Sequence, residues 1–115
     1  RRVELVARDD VPGLAALEQA DAARLDPPRE VVMTREDWDA AIEDYFNEHA
    51  SVGTSGDARG PDLFVVEKKD RRWTVRQTLA DPAGHRDWVI EAEVDVEASD
   101  ELGELVLTTT AMRRL

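Results

Sequence analysis

Residues 88–97 have an apolar side chain at every second position and read Trp-Val-Ile-Glu-Ala-Glu-Val-Asp-Val-Glu. Successive side chains on a β-strand point to opposite faces of the sheet. This stretch therefore predicts a strand with one apolar face and one face that carries Glu91, Glu93, Asp95 and Glu97. A sheet with one apolar face needs other elements to cover that face, so the strand favours a domain of mixed helices and sheet.

The amino-terminal part of the chain is predicted to be helical. Pro12 suits the first turn of a helix, and Pro27 and Pro28 would end that helix because proline cannot continue the hydrogen-bond ladder. A clearer helix begins after Thr34, a good N-cap residue, with Asp37 three positions later as in a capping box. Its amphipathic stripe consists of Trp38, Ile42, Tyr45, Phe46 and His49.

Four strand candidates follow, at residues 63–68, 73–79, 87–97 and 104–112. We expect a Pro-Gly turn at residues 81–84 between the second and third strands, and a turn over residues 98–103 before the fourth. Because short links join antiparallel neighbours, the order predicts a meander. The predicted fold class is α+β, with the N-terminal helices packed on one face of a four-stranded antiparallel meander.

A chain of 115 residues fits a single domain, with its helical part at about residues 1–52 and its sheet at about residues 62–112. The absence of cysteine excludes disulfides and thiolate metal sites, and it favours a cytoplasmic location. No apolar run approaches the roughly 20 residues of a membrane helix, so we expect no membrane partner. The chain begins with Arg1 rather than Met, and we expect it to be part of a longer protein.

The net charge of −11 argues against a broad nucleic-acid interface, because binding to phosphates needs a basic surface. One local basic patch is predicted at a hairpin tip, formed by Lys68, Lys69, Arg71 and Arg72. This patch is a candidate RNA contact, and the alternative is that its charges protect a sheet edge from aggregation. Asp57 and Arg59, in a loop rich in glycine, are two further candidate interaction residues. That loop lacks the Lys-Ser or Lys-Thr ending of a phosphate-binding loop.

The remaining polar residues allow one alternative site. A pocket between helix and sheet would be lined by Tyr45, His49, Trp73, Asp87 and Trp88. A histidine near a carboxylate can act in acid–base catalysis, although structural roles for His49 and His85 are the simpler interpretation. The acidic strand face is interpreted as a solvated surface that Arg76 partly neutralises, and its like charges disfavour a homodimer through that face. No zinc-binding or serine-hydrolase motif is present, so we predict no metal site and no catalytic residue.

Several segments resemble a known family in order along the chain. They are Asp-Ala-Arg-Gly-Pro at 57–61, Trp-Thr-Val-Arg-Gln at 73–77, Asp-Pro-Ala-Gly at 81–84, Asp-Trp at 87–88 and Glu-Ala-Glu-Val-Asp at 91–95. With them the chain resembles the uncharacterised C-terminal domain of actinobacterial DEAD/DEAH-box helicases, superfamily 2 enzymes that act on RNA. Arg86 departs from the family pattern, in which a histidine directly precedes the Asp-Trp pair, and His85 lies one position earlier.

The resemblance implies that ATP and Mg²⁺ belong to the motor domains of a parent helicase and that this domain has no cofactor of its own. It further implies a non-catalytic accessory domain that docks on the helicase motor domains of the same chain, on protein partners or locally on RNA. The alternative is an NTF2-like domain, since the layout is similar to that fold, whose pocket binds or turns over a small molecule.

Overall fold

The computed structural model describes residues 2–25, 28–54, 63–69, 72–103 and 106–115. Its elements in chain order are α1 (Arg2–Ala7), α2 (Val11–Ala23), α3 (Arg35–Glu48), β1 (Phe64–Lys69), β2 (Arg72–Thr78), β3 (Trp88–Asp95), α4 (Val96–Leu102) and β4 (Leu107–Arg114). The strands form one sheet in the order β1-β2-β3-β4, and each neighbouring pair is antiparallel. The predicted α+β class and four-stranded meander are confirmed. Among the described helices, none combines the length and the apolar character needed to cross a membrane.

Side-chain caps set where α2 and α3 begin. The carboxylate of Asp10 accepts a hydrogen bond from the Gly13 backbone N–H at 2.9 Å, with Pro12 in the first turn. A Cβ atom at Gly13 would lie only 2.5 Å from an Asp10 oxygen, so a larger residue there would force the capping carboxylate to shift. Thr34 and Asp37 form the predicted capping box, in which each side chain accepts a hydrogen bond from the other residue's backbone N–H.

The link between β3 and β4 differs from the prediction. Residues 98–103 were expected to form a turn, but Val96–Leu102 is a short helix, and β3 ends at Asp95. The physical reason is a local cap, because the Asp95 carboxylate accepts a hydrogen bond from the Ala98 N–H at 2.9 Å. Gly103 ends the helix in the left-handed conformation, with φ of 70°. Val96 and Glu97 therefore belong to α4 and do not extend the alternating strand.

The core lies between α1–α3 and the apolar face of the sheet. On that face Trp73 lies opposite Val94, Val75 opposite Ala92 and Gln77 opposite Ile90. The stripe predicted on α3 packs against this face, with Trp38, Ile42, Tyr45 and His49 buried and Phe46 partly buried. Trp88, Ile90 and Met112 contribute the strand side of the same cluster. The predicted packing of the N-terminal helices on one sheet face is confirmed.

A buried ionic network fixes α1 and α2 to β4. Arg2 Nε donates a hydrogen bond to Glu18 Oε1 at 2.8 Å, and its Nη2 donates to Asp21 Oδ2 at 3.0 Å. Glu18 also accepts hydrogen bonds from the backbone N–H and the hydroxyl of Thr109, which is fully buried. Asp21 accepts a further bond from the Leu107 N–H. The carboxylates are only 2% and 4% exposed, and these donors compensate the cost of burying them.

Candidate functional site

Two histidines and two aspartates meet where α3 ends and β3 begins, and we call His49, Asp81, His85 and Asp87 the histidine cluster. His49 caps the C-terminus of α3 in an extended conformation, and its backbone N–H still donates to the Tyr45 carbonyl at 2.9 Å. The other three residues lie in the turn that links β2 to β3. Residues far apart in the sequence are thus brought together by the packing of α3 on the sheet.

The imidazole of His49 lies between two carboxylates. Its Nε2 is 3.2 Å from Asp87 Oδ1, a hydrogen-bond distance, and its Nδ1 is 3.8 Å from Asp81 Oδ2. The ring of His85 packs edge-on against the ring of His49, with 5.7 Å between their centroids. His49 is buried, Asp87 is half-buried and His85 is exposed, so the cluster is open to solvent on one side.

The turn of the cluster is built around Asp81. Its carboxylate accepts hydrogen bonds from the backbone N–H groups of His85 at 2.9 Å and Arg86 at 2.8 Å. Gly84 and Arg86 both have positive φ, 71° and 54°, and this backbone conformation directs the two N–H groups toward the carboxylate. The Gly84 N–H also donates a hydrogen bond to the Asp81 carbonyl, which confirms the predicted Pro-Gly turn. Burial raises the pKa of Asp81, but these two hydrogen bonds and the nearby His49 outweigh it and hold the pKa below its usual value.

Tyr45 supports the buried side of the cluster. Its hydroxyl donates a hydrogen bond to the Ser51 carbonyl at 2.6 Å, and its ring lies 5.2 Å from that of His49 and 5.7 Å from that of Trp88. Burial, together with the charges of Asp81 and Asp87, raises the pKa of Tyr45 to about 12. A phenol with that pKa stays neutral at physiological pH, so Tyr45 acts here as a hydrogen-bond donor.

Four of the five side chains predicted to line a pocket do come together. Tyr45, His49, Asp87 and Trp88 are neighbours, and the Trp88 indole N–H donates to Glu48 at 2.9 Å. Trp73 is not among them, because it lies at the far end of β2, roughly 20 Å away at about 3.3 Å per residue. Tyr45 and Trp88 are core residues packed against each other, so this site is a contact cluster at the end of the core.

A cavity of about 350 Å³ opens elsewhere, between α1–α2 and the sheet. Its apolar lining is Val3, Leu17, Phe64, Val75, Ile90, Ala92 and Leu107, and its polar lining is Arg2, Asp21, Arg24 and Gln77. No sequence pattern predicted this cavity. The alternating pattern places Val75, Ile90 and Ala92 on the apolar face, but no pattern indicates how closely the helices approach that face.

The predicted basic patch is only partly described. The Lys68 ammonium lies 4.6 Å from the centre of the Trp73 ring, and that of Lys69 lies 3.1 Å from a Glu67 oxygen. Arg72 is the first residue of β2, whereas Arg71 lies outside the described residues. The predicted interaction residues Asp57 and Arg59 also lie outside them. Both lysines therefore have an intramolecular contact at the β1 end of this hairpin.

The acidic face of β3 is neutralised more fully than predicted. Arg113 Nε donates a hydrogen bond to Glu91, and Arg76 Nη2 lies 3.5 Å from the other carboxylate oxygen. Glu93 pairs with Arg29 at 2.9 Å. The hydrogen bond from Arg113 is the main cause that lowers the pKa of Glu91 below its usual value, and partial burial opposes it. The predicted role of Arg76 is confirmed.

The chain matches a known family of domains. Over residues 1–112 the sequence fits the family described as a domain of unknown function, DUF3516. No curated protein and no solved structure matches the chain significantly. Since the family match covers nearly all of the 115 residues, the chain belongs to the DUF3516 family.

Proposed function

We propose that this chain is a non-catalytic accessory domain that docks on another protein, and that its partner is the helicase motor of the polypeptide to which it belongs. The identity of the partner comes from the resemblance to the C-terminal domain of DEAD/DEAH-box helicases. ATP and Mg²⁺ then act in the motor domains, and this chain contributes a binding surface.

The observation that carries the proposal is the exposed apolar run on β1. All six residues of this edge strand are exposed, and Phe64, Val65 and Val66 are 42%, 56% and 36% exposed. An edge strand with consecutive exposed apolar residues tends to associate with another chain, and a partner that binds there covers it. Strand addition or packing at such an edge is a common mode of protein recognition.

The charge of the domain favours a protein surface as the partner. A net charge of −11 favours docking on a basic protein surface and opposes approach to a phosphate backbone. The ion pair of Lys69 with Glu67 also reduces the positive charge that this hairpin offers to RNA. Docking on protein is therefore favoured over local RNA binding.

The test uses isothermal titration of the domain into the motor domains of its parent helicase. We expect Val66→Asp to weaken binding at least about tenfold, because Val66 lies opposite Val75 on the apolar face of the sheet and the substitution places a charge there. Val32→Asp is the matched control, since Val32 is 41% exposed and lies in the link between α2 and α3, and its binding should equal that of the wild type. Absent binding, or equal losses in both variants, would contradict docking through β1.

A parallel titration with single-stranded RNA at two salt concentrations tests the alternative that the domain binds RNA locally. Binding that weakens steeply with salt would favour an RNA contact, because it reports the release of counterions from phosphates. The docking proposal expects no such binding in the wild type.

A pocket domain is the second candidate, and the cavity of about 350 Å³ favours it. Its volume lies within the range of small-molecule sites, its lining is mostly apolar, and a few polar groups converge on it. A cavity between helices and sheet is also in keeping with an NTF2-like arrangement. An apolar fluorescent probe that binds the wild type one to one, but not Ala92→Phe, would favour this candidate over docking.

A further inference from the structure

We infer that His49, His85 and Asp87 form a binding site for one divalent transition-metal ion, with Zn²⁺ as the best match. One potential ligand atom from each residue lies within 4.8 Å of the other two. Two imidazole nitrogens and one carboxylate oxygen are a donor set that suits Zn²⁺ and similar ions. The inference is independent of the docking proposal, because none of these three residues lies on β1.

The distances fit a small ion with little rearrangement. Ligands at about 2.0–2.1 Å in tetrahedral geometry lie about 3.3 Å from one another. His49 Nε2 and Asp87 Oδ1 are already 3.2 Å apart. His85 is exposed, so rotation of its side chain can close the remaining separation of up to 4.8 Å without disturbing the core. The ion would replace the hydrogen bond between His49 and Asp87.

Asp81 lies beside the second ring nitrogen of His49, the position of the outer partner of a metal-binding histidine. In metal sites the second ring nitrogen usually donates its proton to a carboxylate, which orients the ring and leaves the other nitrogen free to bind. The carboxylate of Asp81 lies 3.8 Å from His49 Nδ1, and its side chain is 1% exposed. The same carboxylate holds the backbone of His85 and Arg86, so one buried group orients two of the three ligands.

The surrounding charges leave one Asp87 oxygen directed at the site. Arg114 Nε lies 3.6 Å from Asp87 Oδ2 and Arg114 Nη1 binds Glu48 at 2.8 Å, whereas Asp87 Oδ1 faces His49. The buried side is closed by Tyr45, and the side of His85 is open to solvent. A bound ion would therefore keep at least one position for water or for a donor group from a partner.

The decisive experiment is calorimetric titration of the folded chain with ZnCl₂ at neutral pH. We expect binding of one ion, and a loss of affinity of at least about tenfold in His85→Ala and in Asp87→Asn. Asp100→Asn is the matched control, because Asp100 is an exposed acid on α4, and its affinity should equal that of the wild type. Circular dichroism verifies that each variant is folded.

A spectroscopic readout distinguishes this site from weak binding by surface carboxylates. With Co²⁺ in place of Zn²⁺, we expect visible absorption bands of four- or five-coordinate cobalt, and imidazole nitrogen NMR signals of both histidines should shift on addition of Zn²⁺. Unshifted histidine signals would overturn the proposal. Equal Zn²⁺ affinity in wild type, His85→Ala and Asp87→Asn would also overturn it, because the ion would then sit on other groups.

Discussion

The two halves of the sheet both carry apolar side chains on the same face but differ in how they are covered. In the β3–β4 half, Ile90 and Met112 are buried under the helices and belong to the main core cluster. In the β1–β2 half, Val75 is only partly buried on the same face, and Phe64 remains 42% exposed. An apolar strand face therefore needs to be covered, but its sequence pattern does not reveal whether the chain itself provides the cover.

The buried ionic network explains why the helices lie over only one half. Arg2, Glu18 and Asp21 attach α1 and α2 to the backbone of β4 at Leu107 and Thr109. This attachment holds the helices above β3 and β4 and leaves the cavity above Val75. The uncovered half is then available for a partner, which is the basis of the docking proposal.

The largest effect is expected when a tryptophan is removed from the helical cover of the β3–β4 half, and a smaller one when a tryptophan is removed from the β1–β2 half. Trp38→Ala removes a fully buried ring and should lower the free energy of unfolding by about 3–5 kcal/mol. Trp73→Ala should cost less than about 2 kcal/mol, because its ring is already partly exposed and borders the Lys68 ammonium. Urea unfolding followed by circular dichroism measures both values. Equal losses would show that the β1–β2 half is as well packed as the other.

A second prediction tests the attachment of the helices. Glu18→Ala leaves Arg2 without its main partner and deprives the Thr109 N–H of its acceptor, and we expect a loss of about 3 kcal/mol in urea unfolding. Glu43→Ala, an exposed glutamate on α3, is the control and should change stability by less than about 0.5 kcal/mol. If both substitutions had similar small effects, the network could not be what positions the helices.

Much of the fold was predictable because its signals are local. The capping box of α3 and the turn at residues 81–84 rest on residues within four positions of each other, and both are confirmed. The helix α4 was missed because its N-cap, Asp95, also continues the alternation of β3, and the strand pattern was extended over it. The buried acids of α2 were missed as well, since the donors that compensate the burial of Glu18 and Asp21 lie on α1 and β4, 16 to 91 positions away.

The candidate site was predictable only in part, because most of its contacts join residues that are distant in the sequence. The sequence suggested that His49 lies beside Tyr45, because both belong to one helix stripe. The contacts of His49 with Asp81, His85 and Asp87 depend on where α3 meets the turn between β2 and β3, which no spacing reveals. Trp73 was grouped with them because it shares their apolar face, and its position along the strand separates it.

The smallest effect is expected at Glu91, which connects the two halves on the opposite face of the sheet. Its carboxylate contacts Arg113 of β4 and Arg76 of β2, and these two arginines lower the pKa of Glu91. A carboxylate whose pKa is lower in the folded than in the unfolded state stabilises the fold above its unfolded pKa of about 4.3 and loses that effect as the pH falls through the folded value.

Glu91→Gln should therefore cost less than about 1 kcal/mol at pH 7, since the contacts are largely at the surface. The difference from wild type should shrink as the pH falls below about 4. Urea unfolding at pH 7, 5 and 3 checks this, with Glu43→Gln as the exposed control. A difference that stays constant with pH would mean that the charge of Glu91 does not contribute, and that the backbone pairing of β2, β3 and β4 alone connects the covered half to the open one.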